Sequence, residues 1–243
     1  MLAGRPRVAA VIPTLNEAAT IAGVIAAIPL EAVDEVIVVD GGSSDGTAAA
    51  ARAAGAHVMT VGRGYGRACR AGADAASDSD IIVFLDGDGS DGPEQIPLLV
   101  APLIDGGADF VIGSRTRGAR EPGSMSVHQR IAGYAIGAAV RLLYGVGYTD
   151  MAPLRAIRRE TLLGLGMREM TYGWNLEMQM RAARAGLRVA ELPVVHRRRA
   201  GGISKVSGTF SGTVKAGWRI ALTFVRVALE ARRPPPPAVP ANR

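Results

Sequence analysis

The chain reads Ile81-Ile82-Val83-Phe84-Leu85-Asp86-Gly87-Asp88-Gly89-Ser90-Asp91 as one continuous stretch. Its apolar first half predicts a buried β-strand, and the glycines that follow predict a loop. Asp86 and Asp88 lie one residue apart at the end of that strand. They can hold one divalent metal from one side and leave its other side to a diphosphate, because Mg²⁺ and Mn²⁺ prefer oxygen ligands. Such a pair is weak evidence by itself, since acids in turns usually cap helices or face water.

Short β-branched runs alternate with alanine-rich segments of helical period around this stretch. The predicted strands are Val8–Ile12, Val36–Val39, His57–Val61, Ile81–Leu85 and Phe110–Gly113. The predicted helices are Glu17–Ala27, Thr47–Ala54, Gly66–Ala76 and Pro93–Leu103. Repeats of this length predict an α/β fold with a mostly parallel sheet and helices on both faces. Ligands of such sheets bind at the carboxyl ends of strands, where Asp40 and Asp86 fall.

Length and composition indicate one globular domain with a tail. The chain has 243 residues, of which 48% are hydrophobic and 21% are charged, so it can bury a substantial core. The single cysteine, Cys69, excludes an internal disulfide and fits a reducing compartment. The first predicted strand starts at Val8, which leaves no room for a signal peptide before the fold. We therefore expect a cytoplasmic protein.

The pattern changes after Ser114. A basic loop, residues 115–130, leads to the small-residue segment Ile131–Tyr148, which predicts a buried or interfacial helix. A polar helix is predicted at about Gly173–Ala185 and a strand at Val189–Val195. No charge-free apolar stretch reaches the roughly 20 residues that span a bilayer.

An amphipathic helix is predicted from Phe210 to Leu229. This pattern suits an anionic membrane surface, and a helix packed on the domain explains it equally well. The apolar residues at helical spacing are Phe210, Val214, Trp218, Ala221, Leu222, Val225 and Leu229, and the cations opposite them are Lys215, Arg219 and Arg226. The proline-rich segment 232–243 is expected to be a disordered tail.

Positive charge is concentrated late in the chain, whose formal net charge is +6. Nine Lys and Arg residues and a single acid lie between Arg197 and Arg233. Such a block favours an anionic partner such as phosphate groups or acidic lipid, or it is only a solvated basic face. Its aromatic residues follow helical spacing and do not alternate with the cations, which argues against nucleic acid as the partner.

Three further loops follow predicted strands. Pro13-Thr14-Leu15-Asn16-Glu17 offers acceptors and helix-start amides to a nucleoside, unless Thr14 or Asn16 only caps the next helix. Val39-Asp40-Gly41-Gly42-Ser43-Ser44-Asp45-Gly46-Thr47 presents Asp40 to ribose hydroxyls or a base N–H. The stretch from Gly62 to Gly72 has Gly-x-Gly-x-Gly spacing at the third strand, which excludes a Rossmann dehydrogenase.

Together these motifs resemble the family 2 glycosyltransferases, which have the GT-A fold, over about residues 8–207. The matching branch is that of the dolichol-phosphate and polyprenyl-phosphate mannosyltransferases and their bacterial glucosyl relatives. Gly113-Ser114-Arg115, Asp150 to Arg155 and Arg199-Ala200-Gly201-Gly202-Ile203-Ser204-Lys205 support that branch. The expected organisation is a GT-A domain over residues 1–207, with a nucleotide-sugar half at 8–114 and an acceptor half at 115–207, then a helix at 208–231.

The resemblance implies a role for each matching position. Asp86 and Asp88 would hold Mg²⁺ or Mn²⁺ on the diphosphate of the sugar nucleotide, and Asp40 and Glu17 would hold the nucleoside. The other residues expected at the nucleotide sugar are Pro13, Leu15, Asn16, Gly42, Gly64, Arg67 and Gly87. The residues expected around the donor and acceptor phosphates are Arg115, Arg130, Arg199, Ser204 and Lys205. Asp88 and Arg115 are also expected to act in catalysis.

The resemblance predicts an inverting transfer of a hexose, from GDP-mannose or UDP-glucose, to a polyprenyl phosphate at the inner face of the membrane. A phosphate acceptor is already anionic and needs no strong base, whereas a hydroxyl acceptor needs a carboxylate, for which Glu177 and Asp150 are the candidates. Glu177 can equally be a salt-bridged acid. Met151-Ala152-Pro153-Leu154 departs from the Thr-Ser-Gly-Phe type run of the mannosyltransferases.

The sequence bears on other functions as well. A nucleotidyltransferase lacks support, because Pro13–Glu17 stands where a basic activating loop would be. A non-catalytic member of the fold that recruits a membrane partner stays open, as does a homo-oligomer. His57, His128 and His196 lack metal-ligand spacing with one another.

Overall fold

A central seven-stranded sheet organises the computed structural model, which describes residues 5–201 and 210–230. The strands are β1 (Val8–Thr14), β2 (Glu35–Asp40), β3 (His57–Thr60), β4 (Ile81–Phe84), β5 (Phe110–Ser114), β6 (Arg155–Arg158) and β7 (Val189–Pro193). Their order across the sheet is β3-β2-β1-β4-β6-β5-β7. Only β6 runs against its neighbours β4 and β5. The predicted mostly parallel α/β sheet is therefore confirmed.

Helices cover both faces of the sheet. They are α1 (Ile21–Ala26), α2 (Thr47–Ala53), α3 (Tyr65–Ala75), α4 (Ile96–Ile104), α5 (Val127–Tyr144), α6 (Arg159–Gly164), α7 (Trp174–Arg184) and α8 (Phe210–Glu230). Alternate residues of β1 enter two separate apolar clusters, with Val11 in one and Ile12 in the other. Every residue of β1 and β4 is buried, as expected of strands covered on both faces.

Two predicted helices begin four residues away from the position that the sequence indicated, and α4 begins at Ile96 because Pro93–Gln95 form a separate 3₁₀ turn. α1 starts at Ile21 and not at Glu17, because residues 15–17 are held in a loop by side chains that follow β2. α5 starts at Val127, inside the predicted basic loop, because Ser126 and Gln129 form a capping box. It ends at Tyr144, before Gly145 with φ of 77°.

The sequence did not predict β6, a four-residue strand with an arginine at each end. Arg155 at its start is fully buried, and its guanidinium donates to the carbonyls of Ala152 and Asn175. It also lies 5.8 Å from the centre of the Phe110 ring. Burial lowers the pKa of Arg155 to about 10. Because Arg155 interrupts the apolar pattern, hydrophobic periodicity does not predict this strand.

Helices α5, α7 and α8 form one layer on the sheet, with α7 in contact with both of the others. A glycine is required in α5 at Gly137, because a Cβ there would lie 1.7 Å from the carbonyl oxygen of Tyr148. The inward face of α8 carries Ala216, Thr223 and Val227, all buried.

The predicted apolar stripe of α8 faces outward: Trp218, Leu222, Val225 and Leu229 are exposed. Arg226, predicted on the polar face opposite this stripe, reaches inward to Glu177. The helix lies where its spacing predicted it, and the face that packs on the domain is a second apolar face, with Ile220, Phe224 and Val227, and not the predicted stripe. Phe210, Val214 and Lys215 lie outside the described side chains. Among the described residues, no helix combines the length and apolar character needed to cross a membrane.

Candidate active site at the carboxyl edge of the sheet

The acidic loop after β4 is held in one conformation by its own side chains. The amide of Asp86 donates to Asp91 Oδ2 at 3.0 Å, and the amide of Ser90 donates to Asp88 Oδ1 at 2.8 Å. Thr20 Oγ1 donates to the carbonyl of Gly87 at 2.7 Å. Burial, with the neighbouring charges of Asp91 and Asp88, raises the pKa of Asp86. The loop thus concentrates negative charge where the strand ends.

This donor set suits a divalent metal that shares its coordination with a substrate. Asp86 and Asp88 supply carboxylate oxygens, and an added cation would relieve the repulsion between them. Among the described residues, no three His, Cys, Asp or Glu side chains form a metal-binding cluster. A metal at this loop would therefore depend on other oxygen ligands, as Mg²⁺ does when it takes water and substrate phosphates.

The loops after β1 and β2 are hydrogen-bonded to each other beside the acidic loop. Asp40 is buried and accepts the amide of Ser43 at 3.0 Å and also its hydroxyl. Ser43 Oγ accepts the amide of Asn16 at 2.8 Å, and Asn16 Oδ1 accepts the amide of Ser44 at 3.0 Å. Asn16 has φ of 55°, which lets it turn between these partners. The predicted nucleoside residues therefore form one hydrogen-bonded edge.

Arg199 joins two of the predicted site residues. Its Nη2 lies 2.5 Å from Glu17 Oε1, and its Nη1 lies 2.6 Å from Asp88 Oδ2. The backbone beside it follows the acidic loop, because Arg197 N donates to the carbonyl of Ser90 at 2.9 Å and Ala200 N to that of Asp88 at 3.0 Å. A segment distant in sequence thus closes over the loop and adds a cation.

A second buried ion pair lies at the end of β5. Asp150 accepts two hydrogen bonds from the Arg115 guanidinium, each at 2.8 Å, and one from the Arg115 amide at 2.9 Å. Asp150 is 1% exposed and the Arg115 side chain 16%. Burial opposes ionisation, but the hydrogen bonds and charge of Arg115 outweigh it and lower the pKa of Asp150. Asp150 is therefore an anion that orients Arg115.

Glu177 is fully buried in α7 and has four donors. Its carboxylate accepts the amides of Arg168 and Glu169 at 2.9 and 2.6 Å and pairs with Arg181 at 2.9 Å. Arg226 of α8 approaches it to 3.2 Å. These contacts lock α7 to the neighbouring loop and to α8, so this side chain has the environment of a structural acid.

The other predicted residues are spread around the same edge. Pro13 is buried in β1 opposite Val39, Leu15 is half-buried, and Gly42 is exposed with φ of 89°. Gly64 and the amide of Arg67 contact the carbonyl of Met170, and the Arg67 side chain is exposed. Arg130 is exposed near the start of α5. Ser204 and Lys205 lie outside the described residues.

Sequence reasoning missed His196 and gave no role to Asp91. Both are buried, and His196 Nδ1 lies 3.7 Å from Asp91 Oδ1. The backbone of His196 also bonds to Ala119 and Glu121. Its position tethers the segment that carries Arg199 to the acidic loop. No spacing pattern signals this contact, because the two residues come from distant parts of the chain.

Comparison with known proteins agrees with this arrangement. The model of glycosyl transferase family 2 matches residues 9–165. An uncharacterised glycosyltransferase of Mycobacterium tuberculosis (strain H37Rv) is 41% identical over 86% of this chain and 94% of its own length. The undecaprenyl-phosphate mannosyltransferase of Micrococcus luteus is 36% identical over 85% of this chain and 90% of its own.

A solved structure matches the fold as well. It is the glucosyl-3-phosphoglycerate synthase of Mycobacterium tuberculosis in complex with Mn²⁺, UDP-glucose and phosphoglyceric acid. The TM-score is 0.75 at 29% identity, over 92% of this chain and 80% of that one. The sheet, its acidic loop and the family match lead to one conclusion. This chain belongs to glycosyl transferase family 2 and has the GT-A fold.

Proposed function

We propose that this glycosyltransferase moves a hexose from GDP-mannose or UDP-glucose to a polyprenyl phosphate at a membrane surface. The proposed acceptor class rests on the hydrogen-bond partners of the two candidate bases, Asp150 and Glu177. Asp150 accepts hydrogen bonds from Arg115 and from the amide of Met151, and Glu177 is buried among Arg181, Arg226 and two amides. A hydroxyl acceptor requires a base, whereas a phosphate acceptor brings its own anionic oxygen. The mannosyltransferase of Micrococcus luteus supports the same acceptor class.

In this proposal the acidic residues hold the metal and the arginines bind phosphate groups. Asp86 and Asp88 would hold Mg²⁺ or Mn²⁺, which stabilises the charge that develops on the leaving nucleoside diphosphate. Arg115, held by Asp150, and Arg199 orient phosphate groups. Attack at the anomeric carbon then proceeds with one inversion. The proposed nucleotide-sugar residues are Pro13, Leu15, Asn16, Glu17, Asp40, Gly42, Gly64, Arg67 and Gly87, and the further phosphate-binding residues are Arg130, Ser204 and Lys205.

The surface that would meet the membrane is formed by α5 and α8. Each helix packs inward on the same apolar cluster and exposes apolar side chains on its other face. Exposed Arg130 and Arg141 lie beside the stripe of α5, as anionic lipid headgroups require. The large exposed apolar residues are Val127, Ile131, Tyr134, Leu142 and Leu143 on α5 and Trp218, Leu222, Val225 and Leu229 on α8.

Replacing Ile131 and Leu142 by serine should weaken binding to anionic vesicles about 100-fold. These side chains are 63% and 88% exposed, so the fold should tolerate the change, and each would lose about 1.5 kcal/mol of burial in the bilayer. Co-sedimentation with phosphatidylglycerol vesicles measures it. Leu30→Ser is the matched control, because Leu30 is 74% exposed among residues that pack on the opposite face of the sheet. Equal binding of all three proteins would contradict the assigned surface.

A transfer assay tests the proposed reaction. The protein is incubated with Mn²⁺, labelled GDP-mannose or UDP-glucose, and either undecaprenyl phosphate or phosphoglyceric acid. We expect label in the organic phase with the lipid phosphate and one donor. Label in a water-soluble product with phosphoglyceric acid would assign the acceptor of the solved relative instead. Nucleotide binding without transfer to either acceptor would indicate a non-catalytic member that binds a membrane partner.

A further inference from the structure

We propose that Arg199 closes the donor site of the free protein by pairing with Asp88 and Glu17, and leaves both carboxylates when a divalent cation and a nucleotide bind. This inference rests on the proposed metal site at Asp86 and Asp88. In the free protein, the Arg199 guanidinium already pairs with one carboxylate oxygen of Asp88 in that site. Arg199 is then a positioning residue with two successive sets of partners.

The geometry of the pair explains why it competes with a metal. Arg199 directs one nitrogen to each carboxylate, at 2.6 Å from Asp88 Oδ2 and 2.5 Å from Glu17 Oε1. The other oxygen of Asp88 accepts the amide of Ser90 at 2.8 Å. Both oxygens of Asp88 therefore accept hydrogen bonds. Asp88 can coordinate a metal only if the Ser90 amide or the Arg199 guanidinium moves away. The amide is fixed in the loop, whereas the guanidinium ends a long side chain.

Charge acts in the same direction. The acidic loop brings Asp86, Asp88 and Asp91 together. Burial and the acidic neighbours raise the pKa of Asp86, and the charges of Arg115 and Arg199 offset part of that rise. A divalent cation on Asp88 would lie within a few ångströms of the guanidinium, and like charges at that distance repel. The carboxylates of Asp88 and Glu17 are 7% and 9% exposed, so water screens this repulsion poorly.

The backbone allows the exchange without a rearrangement of the fold. Arg197 and Ala200 donate main-chain hydrogen bonds to the acidic loop, one on each side of Arg199. The segment therefore stays on the loop while the side chain, 26% exposed, changes partner. A guanidinium released beside the diphosphate site is within reach of phosphate oxygens, which it binds through two parallel hydrogen bonds. The same side chain would thus pair with carboxylates in the free protein and with the donor diphosphate after the nucleotide binds.

The test measures metal binding and needs no turnover. Free Mn²⁺ is followed by electron paramagnetic resonance during titration of the nucleotide-free wild type, Arg199→Gln and Arg199→Ala. We expect both variants to bind Mn²⁺ at least ten times more tightly than the wild type, because the competing cation is gone. In the presence of UDP or GDP this advantage should vanish, since the variants lose a phosphate contact.

Arg197→Gln is the matched control. Arg197 lies on the same segment, but its side chain pairs with Glu94 at the surface, 2.5 Å away, so its Mn²⁺ affinity should equal that of the wild type. Equal or weaker Mn²⁺ binding by both Arg199 variants, with folding verified by thermal melting, would overturn the proposed competition. Absence of Mn²⁺ binding by every protein, both with and without UDP or GDP, would instead overturn the metal site and the competition with it.

Discussion

Asp88→Asn should lower the rate of sugar transfer about 1,000-fold and leave the fold intact. The amide can still accept the hydrogen bond from Ser90, which is 2.8 Å from Asp88 Oδ1. It carries no charge, however, so the proposed metal loses one of two carboxylates. Loss of an electrostatic contact to the leaving group typically costs 100- to 1,000-fold, about 3 to 4 kcal/mol, and loss of the metal removes several kcal/mol. Transfer is measured at saturating nucleotide sugar.

A thermal-shift measurement separates this effect from misfolding. Nucleotide and Mn²⁺ at about 100 times the dissociation constant stabilise a protein by roughly 2.7 kcal/mol, and Asp88→Asn should lose that shift. Asp74→Asn is the control, because Asp74 is half exposed in α3 and its partner among the described residues is Arg70 of the same helix. Wild-type transfer by Asp88→Asn at saturating donor would refute the metal assignment.

The sequence predicted the framework because local patterns determine it. Buried parallel strands are continuous apolar runs, and Ile81–Phe84 is such a run. Because Asp86 and Asp88 come just after this run, the sequence also placed them at the end of the strand. β6 escaped prediction because Arg155 interrupts its apolar character, although the buried guanidinium has carbonyl partners. Nothing local distinguishes a buried arginine with partners from an exposed one.

Pairings between distant residues account for the remaining differences. Arg199 and Glu17 are separated by 182 positions, and no spacing rule brings them together. Glu177 illustrates a partial signal. Arg181 lies four residues further along the same helix, which predicts an ion pair on the helix surface. Only the structure adds Arg226 and the two amides that remove Glu177 from solvent.

The α8 helix shows the limit of periodicity. Its spacing identifies an apolar stripe, but the same spacing fits a stripe that packs on the sheet and one that faces outward. The inward face combines the apolar contacts of Ile220, Phe224 and Val227 with the ion pairs that Arg226 makes to Glu169 and Glu177. Periodicity therefore predicts the helix, whereas its orientation depends on tertiary contacts, both apolar and ionic.

Asp150→Asn should lower transfer about 100-fold and the free energy of unfolding by about 3 kcal/mol at pH 7, because it leaves Arg115 buried without its anion. The pKa of Asp150 is lowered in the folded protein. Its contribution is therefore present above the ordinary value of 3.8 and is lost as the pH falls through the lowered pKa. Urea denaturation of wild type and variant between pH 7 and pH 3 measures this: the difference should shrink only at the acid end.

The same strand provides the control. Asp109, just before β5, accepts two guanidinium hydrogen bonds and one amide hydrogen bond from Arg188, the same three contacts that Arg115 makes to Asp150. The Arg188 side chain is 60% exposed, so Asp109→Asn should cost less than about 1 kcal/mol. The pair also lies at the amino end of β5, away from the edge where parallel sheets bind ligands, so transfer should be unchanged. Transfer is compared at a temperature at which both variants are fully folded. Loss confined to Asp150→Asn would then assign Asp150 the positioning of Arg115, whereas equal loss in both variants would contradict that role.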